Sequence, residues 1–190
     1  MSEHNITVES GSTVRLKTAG KYCDRDIVVT AEGGNGDIGD LIDGSIIEIT
    51  SDVNKIRAFA FYQFTTLKSV DTPNVTRIGA YAFGYCSALT TANFPNATII
   101  DHSAFYHCSA LTTANFSNVT SIGDYAFDHC ENLASIRLPA TPPTLSNGNA
   151  FNVFNVDCVF YIPTGSLAAY QAATNWSFLT KNYSFVEENR

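Results

Sequence analysis

"AFGYCSALTTANFPN" at residues 82–96 returns further along as "AFYHCSALTTANFSN" at residues 104–118. Two weaker copies flank this pair. The four aligned stretches are "IRAFAFYQFTTL" from Ile56, "IGAYAFGYCSAL" from Ile78, "IDHSAFYHCSAL" from Ile100 and "IGDYAFDHCENL" from Ile122. The interval from one start to the next is constant, and the copies align without gaps. A fixed period of this length is typical of stacked repeats, so we predict a solenoid.

The aligned copies share apolar columns of Ile, Phe, Cys and Leu, which we predict to form one continuous core. Phe64 fills the Cys column in the first copy, so we interpret that column as a buried apolar slot. Free Cys packs as a small hydrophobe, which fits this interpretation. The core residues predicted in the three later copies are Ile78, Phe83, Cys86, Leu89, Ile100, Phe105, Cys108, Leu111, Ile122, Phe127, Cys130 and Leu133.

A short stretch of alternating residues follows each column Leu, and this period of two predicts a strand. Pro73, Pro95 and Pro139 end the strands, because proline cannot donate to a ladder. Residues that alternate with the inward ones point outward. The two outward columns are Ser69, Thr91, Thr113, Ser135 and Asp71, Asn93, Asn115, Arg137. They are candidate binding residues for a protein or a cell-surface glycan; a solvated sheet without a partner is the alternative.

The succession "L-x-x-(V/A/I)-x-(L/F)-P-N-x-T-x-I-G-x-x-A-F-x-x-C-x-x-L" resembles the BspA-like, or Treponema-type, leucine-rich repeat. The resemblance covers roughly residues 45–163. It implies an α/β repeat fold, a right-handed solenoid with parallel strands on one face. It also implies membership of a family of surface and virion-associated binding proteins.

The predicted solenoid spans residues 41–190. A solenoid needs a cap at each end, because a terminal rung would otherwise expose its apolar side. We predict an N-terminal capping rung at 41–55, four repeats at 56–143 and a C-terminal cap at 144–190. Ile47 and Ile49 are expected to form the starting strand of the capping rung.

The C-terminal cap begins with a break in the spacing. Phe151 lies beyond the position that the repeat interval predicts from Phe127, which indicates a two-residue insertion, and Phe154 then takes the Cys slot. "CVFYIP" at 158–163 is the expected last strand. A helix follows, with Ser166 as N-cap and an apolar face. Residues on or just beyond that face are Leu167, Tyr170 and Trp176.

The first 32 residues alternate differently, and we predict a small antiparallel β module at 1–32 followed by a flexible glycine-rich linker at 33–40. "LKTAGKYCDRDIVVTA" at 16–31 resembles a short module near the start of tail-associated proteins of bacteriophages and prophages. The resemblance implies a virion-associated setting. Oligomerisation through this module is a further hypothesis.

Composition narrows the classes of partner. The net charge is −7, and no Lys or Arg lies between Arg77 and Arg137, which argues against nucleic acid. No apolar stretch is long enough for membrane insertion. The N-terminus lacks the pattern of a signal peptide, which predicts synthesis in the cytoplasm. Five cysteines, an odd number, argue against a disulfide framework.

Two arrangements of reactive residues invite chemical hypotheses. His107 and His129 share a column, but no third ligand has a defined place beside them, so we expect no metal and no cofactor. His also precedes Cys108 and Cys130, yet sequence neighbours on a turn point in different directions. A thiol nucleophile needs a spatial contact with its base, so we expect no enzyme activity.

The sequence therefore predicts a non-enzymatic binding module, encoded by a phage or prophage, that presents the solenoid for recognition. A bacterial cell-surface adhesin fragment is the alternative. A structural spacer without its own ligand is a third hypothesis, because it would show the same repeats.

Overall fold

The computed structural model describes residues 13–16, 46–49, 55–65, 67–71, 74–146, 148–152 and 155–189. Side chains at 13–16, 46–49, 71 and 148 are not described. The linker predicted at 33–40 and the expected position of Phe154 in the Cys slot lie outside these residues.

A large parallel sheet runs along the solenoid, as the repeat pattern predicts. Its eight strands follow one another across the sheet in chain order, each parallel to its neighbours. They are β1 Thr13–Leu16, β2 Ile46–Ile49, β4 Ser69–Asp71, β6 Thr91–Asn93, β8 Thr113–Asn115, β10 Ser135–Arg137, β12 Val159–Pro163 and β13 Ser184–Glu188.

A second, smaller parallel sheet is made of five two-residue strands. Its strands are β3 Lys55–Ile56, β5 Arg77–Ile78, β7 Ile99–Ile100, β9 Ser121–Ile122 and β11 Thr144–Leu145. Five successive rungs, from β2 and β3 to β10 and β11, thus contribute one strand to each sheet. The repeat pattern predicted strands on one face, and the structure adds this second layer.

Stacked phenylalanines fill the space inside the rungs. Neighbouring rings in the file of Phe61, Phe83, Phe105, Phe127 and Phe151 have centroids 5.1 to 5.3 Å apart and nearly parallel planes. All twelve core residues predicted from the three later copies are buried, at 0 or 1 % exposure. The place of Phe151 in the file confirms that the repeat resumes after the two-residue insertion.

The cysteine column is packed in this core as expected. The thiols of Cys86, Cys108 and Cys130 each donate a hydrogen bond to the backbone carbonyl oxygen of the core phenylalanine one rung earlier, at 3.0 to 3.2 Å. Burial raises the pKa of all three thiols. It also raises the pKa of Cys158, to about 12. The thiols are therefore protonated small hydrophobes at neutral pH.

Each "AFxxC" segment is a tight turn bound to the next rung by backbone hydrogen bonds. Phe59 N donates to Ala80 O at 2.9 Å, and Gln63 N donates to Gly84 O at 2.7 Å. Equivalent bonds recur in later rungs. Eight non-glycine turn residues have φ between 53° and 62°, namely Phe59, Gln63, Tyr81, Tyr85, Ser103, His107, Tyr125 and His129. Such left-handed conformations cost about 1 kcal/mol or more each for residues with a Cβ.

Threonine hydroxyls connect successive rungs on both sides of the core. Thr90 Oγ1 and Thr112 Oγ1 each donate to the carbonyl oxygen 22 residues earlier, at 3.0 Å. Thr98, Thr120 and Thr144 make the same kind of bond to the preceding rung beside the small sheet. These chains of hydrogen bonds reinforce the register that the backbone sets.

Two short helices, α1 Leu167–Ala172 and α2 Trp176–Asn182, close the C-terminal end of the core. Tyr170 and Trp176 are fully buried there. Trp176 Nε1 donates to Pro143 O at 2.7 Å, and the Tyr170 hydroxyl donates to Pro139 O at 2.8 Å. The prediction of a capping helix is confirmed in its location.

The prediction of a single helix is wrong, because the structure has two short helices in its place. Trp176 lies six positions after Tyr170, which would place the two side chains about 120° apart around one helix. The chain instead breaks at Asn175, whose φ is 68°, and both rings meet with centroids 5.1 Å apart. Ser166 occupies the N-cap position without a side-chain bond; the carboxylate of Glu187 accepts from Leu167 N at 2.9 Å.

Both ends of the large sheet differ from expectation. "CVFYIP" is not the last strand, because β13 pairs with β12 beyond it. At the other end, β1 is the one strand described within residues 1–32, and it lies parallel to β2 in the solenoid sheet. The antiparallel pairing predicted for 1–32 otherwise falls outside the described residues. The strand expected around Ile47 and Ile49 is present as β2.

Across the described part of the chain, no helix has the length and hydropathy needed to cross a bilayer.

Replacing Phe105 by Ala tests the core file. Phe105 contacts Phe83, Phe94, Phe116 and Phe127, and a central rung cannot collapse around the cavity. We expect a loss of about 3–5 kcal/mol in the free energy of unfolding by chemical denaturation. The control His107→Ala, on the surface of the same rung, should cost about 1 kcal/mol or less. Equal losses would contradict the core assignment.

Glycine substitution tests the strain in the turns. Gln63→Gly should raise the free energy of unfolding by about 1 kcal/mol, because φ is 61° at this exposed position. Tyr85→Gly relieves the same strain but loses a ring stack with His107, so its net gain should be smaller. Thermal denaturation of both variants measures the difference. A clear destabilisation by Gln63→Gly would show that this backbone conformation is not strained.

Thiol labelling tests the burial of the cysteine column. Cys86, Cys108 and Cys130 should react slowly and alike with a thiol reagent in the folded chain, and rapidly after unfolding in denaturant. Mass spectrometry of labelled peptides separates the three sites. Fast labelling of one of them in the native state would contradict its placement in the core.

Candidate functional site

The outward face of the large sheet carries the predicted hydroxyl column in register. Thr91 lies beside Ser69, Thr113 beside Thr91, and Ser135 beside Thr113. The two threonines are exposed and the two serines half-buried. The structure therefore brings these four predicted residues together as a continuous row of hydroxyls.

The neighbouring amide column is linked by its own hydrogen bonds. Asn115 Nδ2 donates to Asn93 Oδ1 at 3.0 Å, and Ser117 Oγ donates to Asn115 Oδ1 at 2.7 Å. Both asparagines are half-buried. The side chain of Asp71 is not described, although its backbone pairs with that of Asn93. The amides are consequently held in one orientation before any partner arrives.

Arg137 extends the face towards the C-terminal cap. Its guanidinium carbon lies 5.1 Å from the ring centre of Tyr161, and its Nε donates to Glu188 Oε1 at 3.1 Å. Tyr161 pairs with Arg137 across the strands, and exposed Val186 follows Tyr161. Sequence reasoning missed Tyr161 and Glu188 as members of this face. The alternation in "CVFYIP" carried the signal for Tyr161.

A different surface forms where the tight turns stack. Tyr85, His107 and His129 occupy one column as parallel rings, with centroids 4.9 Å and then 4.1 Å apart. Gln63 begins this column. The two imidazoles predicted to be neighbours are therefore in direct contact, together with a tyrosine that the sequence placed in the same column.

A second file of rings runs beside the first. Phe59 stacks on Tyr81 at 5.2 Å. Tyr62 lies between the files, edge-on to Phe59 at 5.4 Å and to Tyr85 at 5.6 Å, and Tyr106 repeats this arrangement beside Tyr85 at 5.4 Å. We name this surface the aromatic ridge; its members are Phe59, Tyr62, Tyr81, Tyr85, Tyr106, His107, Tyr125 and His129. Phe59 and Tyr125 are its most exposed members, at 52 % and 39 %.

The histidine pair is explained by ring stacking. His129 Nδ1 lies 3.7 Å from Glu131 Oε1. Among the described residues, no group of three His, Cys, Asp or Glu side chains is placed to hold a metal ion. Desolvation, and then the neighbouring His129, lower the pKa of His107, while Asp128 and Glu131 act in the opposite direction. His107 is therefore uncharged at neutral pH.

The thiol-nucleophile hypothesis has no geometric support in this column. Cys108 is buried inside the rung, whereas the ring of His107 stacks on the ridge outside it. The raised pKa of Cys108 keeps the thiol protonated. Activation requires a thiolate in contact with a base, and neither condition is met at Cys108.

The chain matches the family model described as BspA type leucine rich repeat region over residues 43–156, in six copies. Six copies are two more than the complete repeats counted from the sequence. No curated protein sequence matches the chain.

Two similar solved structures are both surface or antigenic proteins of bacteria. A leucine rich cell surface protein from Faecalibacterium prausnitzii is 23% identical with a TM-score of 0.58, covering 97% of this chain and 49% of that chain. The pneumococcal vaccine antigen PcpA is 12% identical with a TM-score of 0.44, covering 76% of this chain and 42% of that chain. The chain thus spans about half the length of these solved proteins.

Neither the family match nor the structural likeness supports the phage-tail context that the N-terminal resemblance implied. The match covers more than half of the chain, and the stacked parallel strands agree with it. The chain therefore belongs to the BspA-type leucine-rich-repeat family.

Proposed function

We propose that the chain is a non-catalytic recognition module that binds a protein or a cell-surface glycan through the outward face of its large sheet. The observation that carries this proposal is the register of the polar columns. Thr91 and Asn93 stand directly beside Thr113 and Asn115 in adjacent parallel strands. A partner that contacts one rung therefore meets the same groups again on the next.

The outward face suits binding because it is ordered beforehand. The cross-rung amide bond of Asn93 and Asn115 fixes two of its polar side chains, and the backbone ladder fixes the spacing at which the other outward side chains leave the sheet. A partner then spends little free energy on ordering this surface. Eight strands at a spacing of about 4.8 Å give a face about 34 Å long, over which several rungs act together.

A bacterial cell-surface adhesin is the setting we favour. Support comes from the family and from the fold shared with a leucine rich cell surface protein. A structural spacer remains the competing function, since the same fold serves it without a ligand. The two differ in whether the outward face has a partner.

Charged substitutions on the hydroxyl column test the proposal. Ligands are first selected with the full chain from a glycan array and from a cell-surface protein extract. Thr91→Lys with Thr113→Lys, and separately Thr91→Glu with Thr113→Glu, should each weaken binding at least about tenfold, because both add bulk to exposed positions. Thermal midpoints should stay close to that of the wild type, because neither side chain is buried.

Ser87→Lys with Ser109→Lys is the matched control, since it adds the same charge to the same two rungs on another surface. It should bind as the wild type does. Wild-type affinity in both threonine double variants would refute the proposed face. A chain that selects no partner from either source would favour the spacer.

A further inference from the structure

We infer that the aromatic ridge is a second binding site, separate from the outward strand face, and that its ligand is a neutral glycan chain. The ridge lies on the stacked turns and contains none of the residues proposed above for recognition. Seven of its eight rings are linked by ring contacts across four rungs, from Phe59 to His129, while Ser103 separates Tyr125 from Tyr81 in the other file. The surface is continuous and aromatic along the solenoid.

Filling the core does not require these rings. The core beneath them is already filled by the buried phenylalanine file, with Phe83 and Phe105 fully enclosed. Six ridge residues, among them Tyr81 and Tyr85, hold a backbone conformation that glycine adopts more easily. Large side chains at such positions add strain while leaving part of each ring in contact with solvent. An observed cluster of backbone outliers is a ground for a functional hypothesis.

The chemistry of the ridge fits a sugar. The stacked rings cover each other's faces, but Tyr62 and Tyr106 stand nearly perpendicular to Tyr85 and outside the stacks. Their rings can offer an apolar face to a pyranose, and the tyrosine hydroxyls can bond its hydroxyl groups. The imidazoles of His107 and His129 add polar atoms at the same rung spacing. Ring centroids lie 4.9 and 4.1 Å apart along the file of Tyr85, His107 and His129, and 5.2 Å apart in the one stacked pair of the other file, Phe59 and Tyr81. These spacings are comparable to the length of one sugar unit in an extended chain.

Charge restricts the class of glycan. Within the four described turns at 57–65, 79–88, 101–110 and 123–132, Arg57 is the single basic side chain apart from histidine. The acidic side chains there are Asp101, Asp124, Asp128 and Glu131. An anionic chain carrying sulfate, phosphate or carboxylate groups would be repelled. A neutral glycan meets no such penalty. Exposed Glu131 can accept hydrogen bonds from its hydroxyls, whereas Asp101 is held by Arg77 at 2.9 and 3.0 Å and Asp128 is buried.

Size favours a glycan over a protein. The ridge spans four rungs about 4.8 Å apart and is only two ring spacings wide, so its area is on the order of 200 Å². A specific protein partner usually buries about 800 Å² on each side. A narrow strip of this kind accommodates a linear chain better than a folded surface.

Glycine substitutions at Tyr81 and Tyr85 remove the two rings that contact both Tyr62 and Tyr106, and they retain the turns because φ is 53° and 62° at these positions. The full chain is screened on an array of neutral glucan, mannan and N-acetylglucosamine oligosaccharides, with sialylated and sulfated chains for comparison. Bound oligosaccharides are then titrated by calorimetry. Tyr81→Gly with Tyr85→Gly should weaken a neutral ligand at least about tenfold, or about 1.4 kcal/mol, with the thermal midpoint retained.

Gln63→Gly is the matched control, because it makes the same backbone change in the column of Tyr85 without deleting a ring. It should bind the glycan as the wild type does, and so should Thr91→Lys with Thr113→Lys, which alters only the strand face. The inference is overturned if the wild type binds no neutral glycan, if it binds only acidic glycans, or if the tyrosine double variant retains full affinity. Binding of a basic peptide in place of any glycan would also overturn it.

Discussion

The backbone hydrogen bonds between successive rungs hold equivalent residues of neighbouring repeats in register, and the other features of the molecule depend on this constraint. A phenylalanine that recurs in each repeat therefore forms a stacked file, and a recurring threonine forms a chain of hydroxyl bonds. A recurring outward asparagine forms an amide–amide hydrogen bond between rungs. Unfavourable features are multiplied in the same way. The left-handed turn residues recur in each of the four aligned repeats and persist because neighbouring rungs hold them by backbone bonds.

Most parts of the fold that repeat were predictable from the sequence, with the small sheet as the exception, and the parts that do not repeat were largely missed. The column containing Phe105 was evident because identical residues must share an environment when rungs stack. The small sheet was missed because its two-residue strands, such as Ile99–Ile100, are too short to show a period. Strand β13 and the break at Asn175 belong to the cap, where contacts between distant segments decide the structure.

The candidate surfaces were predictable to different degrees. Alternation in the strands identified the outward columns, including Thr91 and Asn93, because pleating fixes which side chains face solvent. The bond from Asn115 to Asn93 depends on side-chain rotamers that the pattern does not contain. The ridge was only partly visible. Aligning the repeats placed Tyr85 and His107 in one column. The contacts that Tyr62 and Tyr106 make with the rings beside them depend on side-chain packing, which the alignment does not contain.

The middle of the ridge alternates large and small residues, as Tyr62, Gly84, Tyr106 and Asp128 follow one another on successive rungs. A Cβ at Gly84 would lie 3.1 Å from Tyr62 Cδ2, so one tyrosine ring occupies the space of two rungs. Translation by one rung maps the core columns onto themselves, whereas this middle column needs a translation by two rungs to bring Tyr62 onto Tyr106. A chain-like ligand displaced by one rung would meet Gly84 where a tyrosine ring had been. For the proposed glycan, the doubled period of this column would oppose sliding along the solenoid axis.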